Sequence, residues 1–221
     1  MSEPILNFFV DRLDVESKNQ GASWRTRWQE GRTSWDQAGA HPGLLDLLKA
    51  AQKFGCDLRG AQVLEPACGR AHNGAVLSSL GASVVSFDIV PEAIDAAKQI
   101  YLNHPRFEMM VHDAFVVKKE WMQTFDIIFD RAALCALSRE IRQAYVETAW
   151  HHLKIGGFFL SIPFTAVHGD PEQGPPFPLP LREMLDLMGG KFELRYAEEL
   201  PHVRQELGRV AREMLTIWQK I

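Results

Sequence analysis

Residues 63–74 read VLEPACGRAHNG. The segment passes from an apolar stretch through Glu65 and Pro66 into small residues and then into a helical pattern. A strand, a tight turn and a helix start in that order form the place where open α/β sheets receive nucleotides. A dinucleotide turn needs G-x-G-x-x-G, so that a pyrophosphate can approach the helix N-terminus. Only Gly69 and Gly74 stand here. Glu65, just before the turn, is a poor neighbour for a pyrophosphate and a good one for a cation or an ammonium group.

Outward from this turn the chain alternates. QVLE, SVVSFDIV, FEMMVHD, FDIIFDR and GGFFLSIPF read as strands. GAVLSSLG (closed by Gly81), PEAIDAAKQIYL and REIRQAYVETAWHHL read as helices. Strands separated by helical patterns predict an α/β, Rossmann-like sheet, mostly parallel, with helices on both faces. Trp24 and Trp28 share one helical face at i, i+4, Gly31 ends that helix, and Pro42 opens the next. KFELRYAEEL alternates as a strand. VAREMLTIWQK places Val210, Met214, Leu215 and Trp218 at helical spacing, yet a terminal strand is the competing reading.

The chain has 221 residues, 46% hydrophobic and 24% charged, the profile of one soluble globular domain. Its net charge of −4 gives no basic footprint for nucleic acid or an anionic membrane. No apolar run approaches the roughly 20 residues of a membrane helix. The opening MSEPILNFFVDRLD is acidic and lacks a cleavage site, so no signal peptide is expected. Cys56, Cys68 and Cys135 show no paired spacing, which favours a reduced, cytoplasmic setting. Residues 1–22 read as an N-terminal arm, with Ile5, Phe8, Phe9 and Leu13 as a short apolar stripe; residues 23–221 read as a single domain. No coiled-coil seam is present, and a monomer is expected.

Strand two ends in Asp88, about 20 residues after the turn, where a carboxylate accepts both hydroxyls of a ribose. Strand three ends in HDAF, so that Asp113 and its backbone neighbours suit an adenine amino group with Phe115 beside the ring. Each residue also has a plainer role: Glu65 as a solvated strand end, Asp88 as a helix cap, Asp113 as a turn former. Acidic residues on successive strand ends favour a ligand with a cationic amino-acid end, a ribose and an adenine. S-adenosylmethionine fits that description better than NAD.

The sequence resembles the thiopurine S-methyltransferase superfamily, which includes thiol and halide methyltransferases. The resemblance is carried by WRTRWQEGRTSWDQ, by VLEPACGRAHNGAVLSSLGASVVSFDIVPEAI, by FDIIFDRAALCAL and by GPPFPLP, which together cover most of residues 24–185. It implies a seven-stranded class I methyltransferase sheet whose last strand is antiparallel, and so a strand for VAREMLTIW. It implies that Trp24, Trp28 and Trp35 lie over the cofactor, that Ala67, Cys68 and Gly69 line its methionine end, that Asp88 takes the ribose, and that Asp113 and Ala114 take the adenine edge. Arg131 matches an arginine facing cofactor and substrate in the thiopurine enzymes. WDQ and the C-terminal stretch are more similar to the plant thiol and halide enzymes, whereas DRAAL is more similar to the thiopurine branch.

Methyl transfer from a sulfonium needs an in-line nucleophile and no metal, and the histidines show no metal-ligand spacing. Arg131 would favour a thiolate, unless it is spent on a salt bridge to Asp130 or Asp126. His41, His168 and His202 are candidate proton acceptors; Cys68 and Cys135 read as packing residues. The long proline-rich loop from Pro163 to Pro180 reads as a lid, with Phe164 and Phe177 closing over the substrate, or else as a rigid connection. The expected activity is S-adenosylmethionine-dependent transfer to a small thiol or thiopurine. The alternatives are halide, thiocyanate or bisulfide as acceptor, a non-catalytic S-adenosylmethionine-binding protein, and an NAD-dependent oxidoreductase.

Overall fold

The computed structural model describes residues 19–33, 35–170, 173–206 and 209–221. The apolar stripe Ile5–Leu13 lies outside the described residues. The first described element, helix α1 (residues 19–29), runs across the boundary drawn from the sequence between arm and domain. Gly31 stops it at a φ of +66°, a left-handed turn that costs glycine little.

The remaining elements are α2 (Leu44–Gln52), β1 (Gln62–Pro66), α3 (His72–Ser79), β2 (Ser83–Asp88), α4 (Pro91–Tyr101), β3 (Phe107–Val111), β4 (Phe125–Asp130), α5 (Ala133–Ala136), α6 (Arg139–His152), β5 (Leu153–Ser161), β6 (Phe164–Val167), α7 (Leu181–Met188), β7 (Phe192–Glu206) and β8 (Arg209–Lys220). Strands β3, β2, β1, β4 and β5 lie side by side and parallel. Strand order reverses between β1 and β4, which opens a crevice at their carboxyl ends.

Neighbouring residues of the central strands feed opposite faces. Val63 and Ile127 pack with Leu44, Leu47 and Leu77 of α2 and α3. Leu64 and Ile128 pack with Tyr145 and Val146 of α6 and Met184 of α7. A strand buried on both faces is a continuous apolar run, which is why β1 and β4 are so plain in the sequence.

At the C-terminus, β8 runs antiparallel between β5 and the long strand β7. The helical spacing of VAREMLTIWQK is therefore accidental. Ala211, Glu213, Leu215 and Ile217 are buried at every second position, and Val210 is exposed. Glu213 hides this alternation, because a carboxylate in the sequence reads as surface while here it is buried.

Among the described residues the sheet has eight strands, against the seven that the resemblance implies. The addition is β6, which continues the line of β5 along β8 after a break at Ile162 and Pro163. Proline has no N–H to give the ladder, so the pairing lapses there and resumes at Phe164.

The supposed lid thus begins as a strand, and its remainder is stapled down. The Phe177 N–H donates to Cys135 O at 2.7 Å, and the Leu179 N–H to Phe164 O at 2.8 Å. Arg142, fully buried, donates to the carbonyls of Leu134, Leu137, Phe177 and Pro178. Arg209 donates to those of His168, Asp170, Gln173 and Pro176. These bonds tie the described part of the loop to α5, α6, β6 and β8.

Candidate active site

At the switch point lies a cavity whose walls come from the ends of β1, β2, β3 and β4, from α1, and from Pro175 and Pro176 of the stapled loop. It brings together Trp24, Trp28, Trp35, Glu65, Ala67, Cys68, Asp88, Asp113, Ala114, Phe115, Arg131 and Phe164. Two residues expected in it stand apart. The Gly69 N–H donates to Asp88 Oδ2 at 3.0 Å, so the glycine supports the wall from behind. Phe177 does not line the cavity; its ring lies against Gly174, and its N–H and carbonyl are both engaged by the staple.

Helix α1 forms the roof. The Arg25 Nε and Gln29 Nε2 donors both reach Glu92 Oε1 of α4 at 2.9 Å, which pins the helix across the strand tips. Its inner face presents Trp24 and Trp28, and Trp35 meets them edge-on at 5.0 and 6.2 Å between ring centroids. Such geometry suits the aromatic quadrupole and holds three indoles in a fixed cage.

Beneath the roof the carboxylates differ. Asp88 accepts from the N–H groups of Gly69 and Val90, each at 3.0 Å, and burial raises its pKa. It shapes the turn while remaining in the cavity wall. Glu65 is 2% exposed and faces helix α3 as much as the cavity: the Ser86 hydroxyl donates to its Oε2 at 2.5 Å, and Asn73 and the Gly74 N–H also serve it. Burial outweighs these bonds and lifts its pKa to about 7. Gly74 is required here, since a Cβ would strike Glu65 Oε2 and the Ser86 hydroxyl. Asp113 Oδ1 accepts the Phe115 N–H at 2.9 Å, the turn that presents Ala114 and Phe115 to the cavity.

At the other end, Arg131 extends from the tip of β4 over the Phe164 ring, 4.8 Å from its centroid. Its salt bridge goes neither to Asp130 nor to Asp126. Arg131 Nη2 donates to Glu213 Oε1 of β8 at 2.6 Å. Asp126 instead pairs with Lys154, and Asp130 accepts from Tyr145 and the N–H groups of Ala133 and Leu134. Glu213 Oε2 lies 3.1 Å from His41 Nε2, while His41 Nδ1 accepts the Gly43 N–H at 3.1 Å. The accepting Nδ1 assigns the proton to Nε2, so the imidazole is neutral with both nitrogens engaged. His41 is thereby a support for Glu213. His168 and His202 are exposed and do not line the cavity. Burial pushes the Cys135 thiol up to about 12, and burial with the nearby Glu65 and Asp88 raises that of Cys68, so both stay protonated near neutrality.

A second polar group went unnoticed in the sequence. Arg70, next after Gly69, stacks over Trp28 at 4.8 Å and donates from Nε to Asp36 Oδ2 at 2.8 Å. His72 Nε2 lies 3.3 Å from Asp36 Oδ1, and its Nδ1 is 2.7 Å from the Tyr101 hydroxyl. Arg70 Nη1 and Gln20 Oε1, both on cavity-lining residues, are buried with no hydrogen-bond partner among the described residues. A donor, an acceptor, an aspartate at the second strand tip and three indoles form a donor set that fits S-adenosylmethionine. The two arginines lining the cavity, Arg70 and Arg131, are each paired with a carboxylate, Asp36 and Glu213, which makes a poor patch for a pyrophosphate.

Comparison with known proteins agrees. The family model described as thiopurine S-methyltransferase matches residues 19–220. Thiocyanate methyltransferase 1 of Brassica oleracea is 28% identical over 216 residues, covering 96% of this chain and 90% of its own. Thiopurine S-methyltransferase of Acinetobacter baylyi is 30% identical over 214 residues, covering 88% and 95%. Among solved structures, 1,6-didemethyltoxoflavin-N1-methyltransferase of Burkholderia thailandensis, with bound S-adenosylhomocysteine, superposes with a TM-score of 0.72 at 17% identity, covering 90% of this chain and 86% of its own. Fold, cavity and family match converge: the chain belongs to the thiopurine S-methyltransferase family and is an S-adenosylmethionine-dependent class I methyltransferase.

Proposed function

We propose that the protein methylates a small sulfur nucleophile, a thiol or thiopurine, by direct in-line displacement. The observation that carries this reading is the single cavity wall joining Asp88 and the indole cage at one end to Arg131 and Phe164 at the other. The names of the relatives, thiopurine and thiocyanate methyltransferases, support a soft sulfur acceptor.

S-adenosylmethionine, when bound, supplies a sulfonium-activated methyl group. Asp88 would receive the ribose hydroxyls, the 113–115 turn the adenine edge, and Ala67 and Cys68 would border the methionine end. Trp24, Trp28 and Trp35 exclude water, and a ring facing the sulfonium adds about 0.5–2 kcal/mol of cation–π attraction. Charge disappears when a thiolate meets a sulfonium, so a dry aromatic wall favours reaction over the solvated ground state. Arg131 orients the anionic acceptor against the Phe164 ring, and holding it about 3–3.5 Å from the methyl group lowers the barrier by several kcal/mol.

A second acceptor class, thiocyanate, halide or bisulfide, is favoured by the engaged state of His41 and by the pairing of Arg131 with Glu213. An acceptor that is already an anion needs no base. A labelled-methyl assay over alkyl thiols, thiopurines, thiocyanate and iodide separates the two. Tight S-adenosylmethionine binding without transfer to any of them would leave a binding protein instead of an enzyme.

A further inference from the structure

We infer that Arg70 is the carboxylate receptor for the amino-acid end of the cofactor. The inference rests on the S-adenosylmethionine reading above and adds to it a residue that no sequence motif singled out.

The guanidinium is held on two sides. Its plane lies over Trp28, and its Nε is bound to Asp36, itself in the cavity wall. These contacts fix the fork and leave Nη1 buried with no partner among the described residues. A buried, charged donor without an acceptor is costly, and the natural remedy is an anion. Position decides which anion. Arg70 follows Ala67, Cys68 and Gly69, the turn that the cofactor reading gives to the methionine end, and its guanidinium lies in the cavity wall against Trp28 and Asp36. The only anionic group of S-adenosylmethionine is the carboxylate of its methionine end, and a planar fork suits a carboxylate. Asp36 offsets the charge of Arg70, so the site accepts one anion without becoming a general phosphate patch.

Gln20 marks the opposite end of the roof. It precedes Gly21, where an added Cβ would meet the side chain of Ile89, next after Asp88, and its Oε1 is buried without a hydrogen-bond partner among the described residues. That separation makes a control available.

Titration calorimetry with S-adenosylmethionine and its decarboxylated form, which differ only in the carboxylate, tests the assignment. Wild type should bind the carboxylated ligand more tightly, by about 10- to 100-fold, the scale of a charge-assisted bond. R70Q should erase that preference while leaving decarboxylated S-adenosylmethionine within about two-fold of wild type; R70K should keep part of it. Gln20→Leu should weaken both ligands alike. Equal losses of both ligands in R70Q would reduce Arg70 to a prop for Trp28 and overturn the inference, as would an unchanged preference. Wild type binding neither ligand would instead overturn the cofactor reading itself, and retained binding of the decarboxylated ligand shows that R70Q is folded.

Discussion

Glu213 Oε1 of β8 receives Arg131 Nη2, from the tip of β4, at 2.6 Å, with β5 between the two strands. On the proposed reading Arg131, at the acceptor end, carries its own counter-charge, and that carboxylate is held in turn by His41. Its pull on an incoming thiol would then be smaller than that of a lone guanidinium.

Glu213→Gln should unmask Arg131. The acidic limb of the kcat profile for a weakly acidic thiol is expected to move to lower pH, because an uncompensated cation stabilises the bound thiolate. Turnover of iodide, which does not titrate, should stay nearly constant with pH. A limb that does not move would show that Arg131 lies too far from the acceptor to matter.

Asp88→Asn should weaken S-adenosylhomocysteine binding by roughly 1.5–3 kcal/mol, the loss of charge-assisted bonds to the ribose. Part of the effect runs through the turn, since Asp88 also receives the Gly69 and Val90 N–H groups. Calorimetry at fixed salt gives the number; an unchanged affinity removes Asp88 from the ribose site.

Glu65 predicts a pH dependence of stability. Its pKa rises from 4.5 to about 7 on folding, chiefly through burial. The folded state therefore binds the proton more tightly than the unfolded chain. The associated stability is fully present below about pH 4.5 and is lost as pH climbs through about 7, a loss of roughly 3 kcal/mol at most. Glu65→Gln should flatten that portion of the profile in urea unfolding. A slope identical to wild type between pH 5 and 8 would assign the titration elsewhere.

Arg142→Met should cost roughly 3–5 kcal/mol, since it strands the buried carbonyls of Leu134, Leu137, Phe177 and Pro178 and leaves Glu183 without its main partner. The loop should then loosen, and the backbone amides of Phe177 and Leu179 should exchange faster than in wild type. Equal protection in wild type and variant would mean that the loop holds without the staple.

Sequence by itself determined the alternating α/β order, the turn after β1, the three strand-tip carboxylates and the indoles, because these are local: apolar runs, small residues at a turn, and i, i+4 spacing. It left open what depends on distant partners. The periodicity of VAREMLTIWQK allows a helix as well as a strand because Glu213 breaks its alternation, and the contacts with Arg131 and His41 explain a buried glutamate there. The loop after β5 reads as a lid or a rigid connection because prolines announce irregular backbone, whereas the bonds that hold its described residues come from Arg142 and Arg209, remote in the chain and ordinary in composition. Nothing in the sequence singles out Arg70 and Asp36, for the same reason. Only the tertiary structure decided which charges are paired, which donor is left over and which face of each carboxylate meets the cavity, since burial and Coulomb interaction depend on distance in space.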